Sequence, residues 1–593
     1  MIKARRYTVA ALVAILVILS GAVPALAQRP PAAPAAPKPP APPTDGTLDK
    51  NVEAALETLS PLKLKGHTYF LSHDLMEGRG TAERGGDLAA EYIASQFMAI
   101  GLPPPVPTDA NTTSYFQNVP LVGTTTDPNE SLLVFTKDQQ TITPTYLDQA
   151  IYWTDTQLPI SEAASELVFA GYGTLAPEAK WDDFKDVDLT GKVLLMLVND
   201  PPSEDPNIFG GKAMSYYGRW TYKFWVAAEK GAAGCLLIHT PDMAGYNWDV
   251  VRSSWGRERF SMILDPQGTP PLRLAGWLTE EMAKQIVALG GKDLQALMQA
   301  AAQRDFRPIP LGITAQSKVV GKVRNTMVRN VVGFLAGTDR AKQYEFVIYS
   351  AHYDHLGIGA EVDGDRIYNG AEDNATGVAA LIEIARAFTN RGARPRRTLI
   401  FIATAGEEQS LRGSEFFTNR RTMFLLPGRM AADINLDGLT AAGETRDYVF
   451  LGADRSPQLR QYVEDAARIF SVVPRPDPHP EKGGYFRSDH FSFARIGVPG
   501  ISLDNGLDFV DKPEGWGEQQ YQEYLAKKYH RPDDEFDPTW DFKGLAKTAK
   551  IALYLGWRVG MDDAMPMWNP GDEFEEERKE ALEELPPSQG STP

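Results

Sequence analysis

The sequence predicts an α/β fold in which helices flank a mixed, largely parallel central sheet, with a mainly β domain inserted into it. From Val332 onward, apolar strand-like segments such as EFVIYSA and RTLIFIATA alternate with helical segments such as TGVAALIEIARAF. That alternation is typical of a sheet with several parallel strands. Between residues of about 130 and 320 the pattern changes to short strand candidates, SELVFAGYG and GKVLLMLVND among them, which indicates the insert.

The segment before the insert has a helical pattern that stops before Gly101. Its apolar residues recur at spacings of three and four: Leu88, Tyr92, Ile93, Phe97 and Ile100. We expect this helix to pack on the sheet. The chain is longer than one core usually serves, so we assign residues 49–130 and 325–565 to one main domain and residues 131–324 to the insert.

The amino-terminal segment has the features of a secretory signal peptide at residues 1–27. Basic residues including Arg5 and Arg6 precede an apolar run that closes on Ala25-Leu26-Ala27, a small-x-small cleavage site. An uncleaved anchor is the weaker alternative, because the run is shorter than the roughly 20 residues that a membrane span needs. We therefore expect an exported protein, periplasmic or secreted, with no stable membrane anchor after cleavage.

Two further segments cannot supply a core. Residues 28–48 form a Pro/Ala-rich linker, and residues 566–593 form an acidic tail that we expect to be a short exposed helix or disordered. The net charge of −17 argues against nucleic acid or an anionic membrane as a partner. Cys235 is the only cysteine, so no internal disulfide can form, and its apolar surroundings indicate a buried small side chain.

Candidate metal ligands follow successive predicted strands. EFVIYSA runs into His352, RTLIFIATA runs into Glu407 and Glu408, and MAADINL runs into Asp437. The carboxyl ends of parallel strands meet at one edge of an α/β sheet, so we expect these side chains to lie together. Each motif alone is common in ordinary loops, and it is their joint order that indicates a site. The histidines without such a grouping are expected to be surface or packing residues: His67, His73, His239 and His479.

Two more candidates, Asp373 in GAEDNATG and His530 in YHRPDDEFD, complete a set of imidazoles and carboxylates without a thiolate. Such a set suits zinc or a similar divalent ion, and a carboxylate can bridge two ions about 3.5–4 Å apart. Asp373 suits that bridge. Asp354 is placed to hold the second ring nitrogen of His352 rather than to bind a metal itself.

At these motifs the sequence resembles the bacterial two-zinc leucyl aminopeptidases, in a wider group that also holds glutamate carboxypeptidase, glutaminyl cyclases and the transferrin receptor. The resemblance rests on SAHYDHLG, GAEDNATG, AGEEQSLRGS, INLDG and YHRPDDEFD. It implies the zinc exopeptidase fold and two Zn²⁺ per chain. Asp373 would bridge the ions, Glu408 and His530 would complete one site, and His352 and Asp437 the other.

The resemblance also implies two catalytic roles. Glu407 falls on the family's general base, which suits a carboxylate beside a ligand carboxylate, because a divalent ion lowers the pKa of its water toward roughly 7. Tyr485 falls on a tyrosine three residues before Ser-Asp-His, which would donate a hydrogen bond to the developing oxyanion. A core or cleft-wall aromatic is the alternative for Tyr485.

The insert resembles a protease-associated domain, through FAGYG, the strand-helix-strand pattern around GAAGCLLI and its position in the chain. It is a candidate to shape the cleft, bind substrate or mediate oligomer formation. Arg487, Arg495 and Arg531 lie near motif residues without a pattern that fixes substrate preference.

The implied activity is hydrolysis of a peptide at its end, and an aminopeptidase is favoured over a carboxypeptidase of the same fold. A glutaminyl cyclase would use a single zinc, and retention of both His352 and Asp437 disfavours it. A binding protein like the receptor branch would have lost ligands, whereas all five and Glu407 are present.

Overall fold

The computed structural model describes residues 48–584 apart from 109, 111, 178, 204–207, 210, 391 and 420–422. The predicted signal peptide at residues 1–27 lies outside the described residues, as does nearly all of the linker at 28–48. No helix in the described part of the chain combines the length and the apolar character that crossing a bilayer requires.

Three helices precede the sheet: α1 Lys50–Leu56, α2 Pro61–Leu71 and α3 Arg84–Ala99. The hydroxyl of Ser60 caps α2 by accepting a hydrogen bond from the backbone N–H of Lys63. Helix α3 buries Ile93 and Phe97 in the main core, as the apolar spacing predicted.

Short strands and the insert follow α3. The strands are β1 Val106–Pro107, β2 Thr113–Ser114, β3 Phe116–Thr126, β4 Leu132–Lys137, β5 Gln140–Ile142, β6 Ala150–Trp153, β7 Ile160–Phe169, β8 Leu175–Ala176, β9 Trp181–Asp182, β10 Val193–Leu197, β11 Gly234–His239, β12 Arg259–Met262 and β13 Leu274–Thr279. The helices are α4 Trp220–Glu229, α5 Pro241–Ala244, α6 Trp248–Trp255, α7 Glu280–Leu289 and α8 Leu294–Ala301.

The insert contains more helix than the mainly β prediction allowed. Strand β10 is parallel to β7 and β11, and β11 is parallel to β13. Parallel strands need long crossover connections, and their two faces are usually covered by helices. Here Tyr222 of α4 and Val250 of α6 pack in one cluster with Cys235, while Met282 of α7 and Leu294 of α8 belong to a second cluster. The insert is therefore an α/β unit.

The main domain adds the remaining strands and helices. The strands are β14 Ile309–Leu335, β15 Phe346–His352, β16 Gly357–Val362, β17 Asp365–Tyr368, β18 Thr398–Thr404, β19 Met430–Leu436, β20 Asp447–Leu451, β21 Val473–Arg475 and β22 Gly500–Asn505. The helices are α9 Thr376–Asn390, α10 Arg412–Thr418, α11 Pro457–Phe470, α12 His490–Ala494, α13 Trp516–Lys527, α14 Lys543–Met561 and α15 Glu575–Glu583.

The main part of the sheet runs in the order β21-β20-β22-β19-β15-β18-β14. Strand β15 is parallel to its neighbours β18 and β19, β19 is parallel to β22, and β20 is parallel to β21. Strand β14 is antiparallel to β18, and β20 is antiparallel to β22. The predicted fold class, a mixed and largely parallel sheet flanked by helices, is confirmed.

One strand joins the insert to the main domain. Strand β14 pairs with β4 and β7 over residues 309–320, and with β3 and β18 over residues 321–335. The boundary between the two parts thus falls inside a continuous strand, and the insert is held by a hydrogen-bonded ladder.

The segment predicted as an acidic tail at residues 566–593 is docked as far as it is described. Helix α15 carries Arg578, which is fully buried. Its guanidinium donates to the carbonyl oxygen of Met430 at 2.9 Å and to that of Pro566 at 3.1 Å. The sequence does not predict the burial of Arg578, because one buried arginine among the many charged residues of α15 has no distinct pattern.

We predict that Arg578→Ala lowers the free energy of unfolding by about 2–4 kcal/mol, because two buried carbonyl oxygens lose their donor and a void opens. Urea unfolding of the mature chain would measure it. The neighbouring exposed residue offers a matched control, and Lys579→Ala should stay within about 0.5 kcal/mol. Equal stability of the two variants would contradict the docking of this helix.

Candidate metal centre

Four of the predicted site residues lie at the carboxyl ends of adjacent strands. His352 is the last residue of β15, Asp437 directly follows β19, and Glu407 and Glu408 lie in the turn after β18. The parallel register pairs His352 with Thr404 at the end of β18. The sheet therefore delivers these side chains to one edge, as expected of parallel strands.

Asp373 reaches the same edge from a helical turn, Ala371–Ala375, that leads into α9. Its backbone N–H donates to a carboxylate oxygen of Asp534 at 3.1 Å. Arg79, which is fully buried, donates to the carbonyl oxygens of the two residues preceding the turn, at 2.6 and 2.8 Å. Sequence reasoning singled out neither Asp534 nor Arg79, although both fix the loop that carries Asp373.

The first group of ligands consists of His352, Asp373 and Asp437. Nε2 of His352 lies 3.1 Å from Oδ1 of Asp373 and 3.0 Å from Oδ1 of Asp437. One ligand atom from each residue falls within 4.8 Å of the others, which is the spacing that a single ion needs.

The second group uses the other oxygen of Asp373. Nδ1 of His355 lies 2.6 Å from Oε1 of Glu408 and 3.9 Å from Oδ2 of Asp373. Nε2 of His530 lies 3.2 Å from Oε2 of Glu408 and 3.5 Å from the same Oδ2. Asp373 thus offers one carboxylate oxygen to each group, which is the arrangement of a bridging ligand.

His355 is the site residue that the sequence analysis missed. The strand pattern indicates His352 because that residue ends β15. His355 lies three residues beyond the end of β15, where the strand pattern no longer predicts the direction of a side chain. Its backbone N–H bonds the carbonyl oxygen of Arg79, which turns the chain toward Glu408. A second histidine inside SAHYDHLG was the signal that could have found it.

The donor set fits a pair of divalent cations. Imidazole and carboxylate are the ligands of zinc in proteins. Among the described residues, Nε2 of His355 is buried without a hydrogen-bond partner, and the close approach of His355 Nδ1 to Glu408 Oε1 does not have the geometry of a hydrogen bond. Buried polar atoms are normally satisfied, so these three atoms indicate a missing partner that accepts lone pairs.

The charges at the centre also favour bound cations. Burial raises the pKa of Asp354 to about 6, and the negative charge of Glu408 adds to the shift. Burial also raises the pKa of Glu407 well above its ordinary value. The positive charge of His352 opposes this rise, and the negative charges of Asp437 and Glu408 add to it. Carboxylates concentrated in a buried space favour bound cations, which offset their mutual repulsion.

Asp354 holds His352 through a different atom from the one predicted. Nδ1 of His352 is 3.1 Å from the backbone carbonyl oxygen of Asp354 and 3.9 Å from its carboxylate. The carboxylate instead accepts hydrogen bonds from the hydroxyl of Thr81 at 2.9 Å and from the backbone N–H of Glu407 at 3.1 Å. Asp354 therefore orients both a ligand and the turn that carries the predicted base.

Tyr485 lies in a buried aromatic cluster. Its ring is buried against His490, with centroids 4.8 Å apart, and beneath the guanidinium of Arg455 at 4.8 Å. It packs in a cluster with Trp568 and Phe574 from the docked carboxyl-terminal segment. These contacts favour the alternative of a core aromatic, while the buried hydroxyl of Tyr485 has no hydrogen-bond partner among the described residues.

A cavity of about 930 Å³ opens over the two ligand groups. One wall contains Glu407 and ligands of the main domain, and the insert supplies much of the opposite wall, including Trp220, Tyr246 and Trp255. The insert also reaches a ligand directly, since the hydroxyl of Ser254 in α6 lies 2.9 Å from Nδ1 of His530. The insert therefore shapes the cleft, one of the roles expected of it.

Comparisons with known proteins match part of the chain to a peptidase family. Residues 330–556 match the model of peptidase family M28. A probable zinc metalloprotease of Pyricularia oryzae is 31% identical over 185 residues, which cover 30% of this chain and 32% of the relative. Leupeptin-inactivating enzyme 1 of Streptomyces exfoliatus is 26% identical over 245 residues, covering 40% of this chain and 52% of that enzyme. The aligned parts thus span about a third to a half of these relatives.

Among solved structures, the aminopeptidase from Aneurinibacillus sp. strain AM-1 superposes with a TM-score of 0.49 at 18% identity, covering 88% of this chain and 98% of that one. The family match confirms the relationship predicted from the motifs. It covers the strands that carry His352, Glu407, Glu408 and Asp437, together with Asp373 and His530.

We predict that His355→Ala weakens zinc binding by at least about 10-fold, because the second ligand group loses one of its two imidazoles. Competition with a chromogenic chelator would measure the affinity, and zinc content after dialysis would give the stoichiometry. His479→Ala serves as the control, since that histidine pairs with Glu518 and not with the ligands. Full zinc affinity in His355→Ala would exclude His355 as a ligand.

We also predict that Ser254→Ala lowers zinc affinity by about 10- to 100-fold, although the residue belongs to the insert. The hydroxyl fixes the ring of His530, and an unheld ring spends part of its time turned from the metal. Ser253→Ala is the matched control, because its hydroxyl bonds the carbonyl oxygen of Val250 in the same helix. Equal affinities of the two serine variants would show that the contact does not orient His530.

Proposed function

Because residues 330–556 belong to peptidase family M28, we propose that this chain is an exported, zinc-dependent exopeptidase, and specifically an aminopeptidase that uses two zinc ions. The observation that carries the proposal is the pair of ligand groups that share Asp373 beside Glu407. The features of residues 1–27 support export.

The chain's ligands divide into two sets. His352 and Asp437 would hold one ion, and Glu408 with His530 and His355 would hold the other, with Asp373 shared between them. When bound, zinc supplies Lewis-acid chemistry, polarising the scissile carbonyl and making water more acidic. The residues around it then need only bind the peptide and move protons.

We expect Glu407 to transfer these protons. It lines the cavity next to the ligand Glu408, and its backbone is fixed by the carboxylate of Asp354. Its carboxylate would accept a proton from the attacking water and deliver it to the leaving amine. Such general acid–base catalysis is typically worth about 10²- to 10⁴-fold in rate.

Unpaired carboxylates favour an amino-terminal substrate. Asp477 and Asp504 line the cavity together with the ligand Asp437, and within the described residues neither Asp477 nor Asp504 lies in ion-pair range of a lysine or arginine. The negative charges of these carboxylates repel one another. An α-ammonium group entering the cavity would relieve this repulsion, which supports an aminopeptidase.

The test is hydrolysis of a panel of short peptides by the zinc-loaded mature chain, with free or acetylated amino termini. We expect release of the first residue from free-amine peptides only. Glu407→Gln should reduce kcat by about 10²- to 10⁴-fold with zinc content unchanged. Glu523→Gln, at another cavity position, is the matched control and should stay within about 2-fold.

Two outcomes would overturn the assignment. Release of the last residue from acetylated peptides would make the protein a carboxypeptidase. Absence of zinc-dependent cleavage from either end would remove the peptidase proposal altogether.

A further inference from the structure

Arg219 and Arg487 are among the arginines that line the cavity without a carboxylate partner in the described part of the chain. Arg219 directly precedes α4 of the insert, and Arg487 lies in the segment before α12 of the main domain. Throughout the described residues, no carboxylate oxygen lies within ion-pair range of either guanidinium, whereas the neighbouring cavity residue Arg412 pairs with Glu415 at 2.9 Å. The positive charge of the pair is therefore not neutralised by the protein.

The two side chains are held differently. Arg487 donates from Nε to the carbonyl oxygen of Lys482 at 2.8 Å and from Nη2 to that of Ala244 at 2.9 Å, so backbone atoms fix its fork. Arg219 is only 8% exposed, and in the described part of the chain its Nε has no hydrogen-bond partner. A buried N–H group without an acceptor is destabilising unless a ligand supplies one.

A third donor, Tyr246, lines the same cavity. Tyr246 is also 8% exposed, its hydroxyl has no partner among the described residues, and its ring lies 5.4 Å from the guanidinium carbon of Arg487. Burial raises the pKa of Tyr246, and the positive charges of Arg487 and Arg219 oppose that rise. Burial likewise lowers the pKa of Arg219 to about 9, with the charge of Arg487 adding to the effect.

This cluster lies close to the predicted reaction centre. Arg219, Arg487 and Tyr246 line the same cavity as Glu407 and the two ligand groups. An anion held by the arginines would therefore share that cavity with the scissile bond.

We propose that Arg219, Arg487 and Tyr246 bind a carboxylate of the peptide substrate, on the residue next to the scissile bond. The guanidinium fork matches a carboxylate in two parallel hydrogen bonds, and a phenol adds a third. Two sources share this chemistry: the terminal carboxylate of a dipeptide and an acidic side chain in the second position. The inference rests on the proposed peptidase function and specifies which peptides that function selects.

The kinetic test compares alanyl-leucine, alanyl-leucinamide and alanyl-glutamic acid α-amide on the zinc-loaded enzyme. We expect kcat/KM to be at least about 10-fold higher for whichever carboxylate-bearing peptide is the source than for alanyl-leucinamide. A preference for alanyl-leucine identifies the terminal carboxylate, and a preference for the glutamyl amide identifies the side chain. In Arg219→Met and in Tyr246→Phe, the preference should fall toward 1 while hydrolysis of alanyl-leucinamide persists.

Arg412→Met is the matched control, because that arginine lines the same cavity but has its own carboxylate partner, and the preference should stay as in the native chain. Tyr246→Phe removes a single oxygen, so it remains informative if Arg219→Met does not fold. Equal kcat/KM for all three peptides in the native chain would overturn the inference while leaving the peptidase proposal intact.

A binding measurement separates the two proposals fully. Calorimetric titration of zinc-loaded Glu407→Gln with alanyl-leucine, alanyl-leucinamide and the glutamyl amide reports recognition without turnover. Tighter binding of one carboxylate-bearing peptide, lost when Tyr246→Phe is added, supports the carboxylate site even if the native chain cleaves none of the panel. Equal affinity for all three peptides overturns it.

Discussion

The sharing of Asp373 between two histidine-containing groups is the constraint on which the site depends. One oxygen faces His352 and the other faces His530 and His355, so a small rotation of this carboxylate would disturb both groups together. Hydrogen bonds to the backbone hold the loop that carries this carboxylate. Asp534 accepts the backbone N–H of Asp373, and the buried fork of Arg79 holds the carbonyl oxygens before it. Each of these supports comes from a different part of the chain, which makes the site a product of the tertiary structure.

The insert belongs to this site as much as the main domain does. Strand β14 carries an unbroken ladder from one part to the other, so α4 and α6 have a fixed position relative to the ends of β15 and β18. The contact of Ser254 with His530 uses that rigidity, as does the bond from Arg487 to the carbonyl oxygen of Ala244. A loosely tethered domain could not orient a ligand ring to within hydrogen-bonding distance.

The sequence predicted those features of the site that depend on the pattern of strands and helices. The alternation of strands and helices implied that His352, Glu407 and Asp437 would meet at one edge, because parallel strands end there together. It could not supply what depends on loop conformation. His355 turns toward Glu408 only through the chain path near Arg79, and Asp354 uses its carbonyl oxygen where a carboxylate was expected.

The sequence pattern also could not predict contacts between residues that are far apart in the chain. The resemblance assigns an oxyanion donor to Tyr485, yet the surroundings of its ring are set by Arg455 and by aromatic residues about 80 residues later, in a segment with the composition of a tail. The same segment contains Arg578, whose burial no local pattern indicates. Composition describes the average exposure of a segment, and a single anchoring residue does not change that average.

The distribution of charge in the cavity is the strongest physical argument that the site is functional. Carboxylates crowd around Asp373 and along Asp437 and Asp504, while Arg219 and Arg487 face the cavity from elsewhere, and the two signs do not pair. Unpaired buried charge destabilises a fold, and pairing Arg219 with a nearby acid would remove that cost. A chain selected for stability alone would make such pairs, as it does at Arg412 and Glu415. Because the opposite charges in this cavity stay apart, the carboxylates remain free to bind cations and the arginines remain free to bind an anion. A zwitterionic peptide carries a cationic and an anionic group.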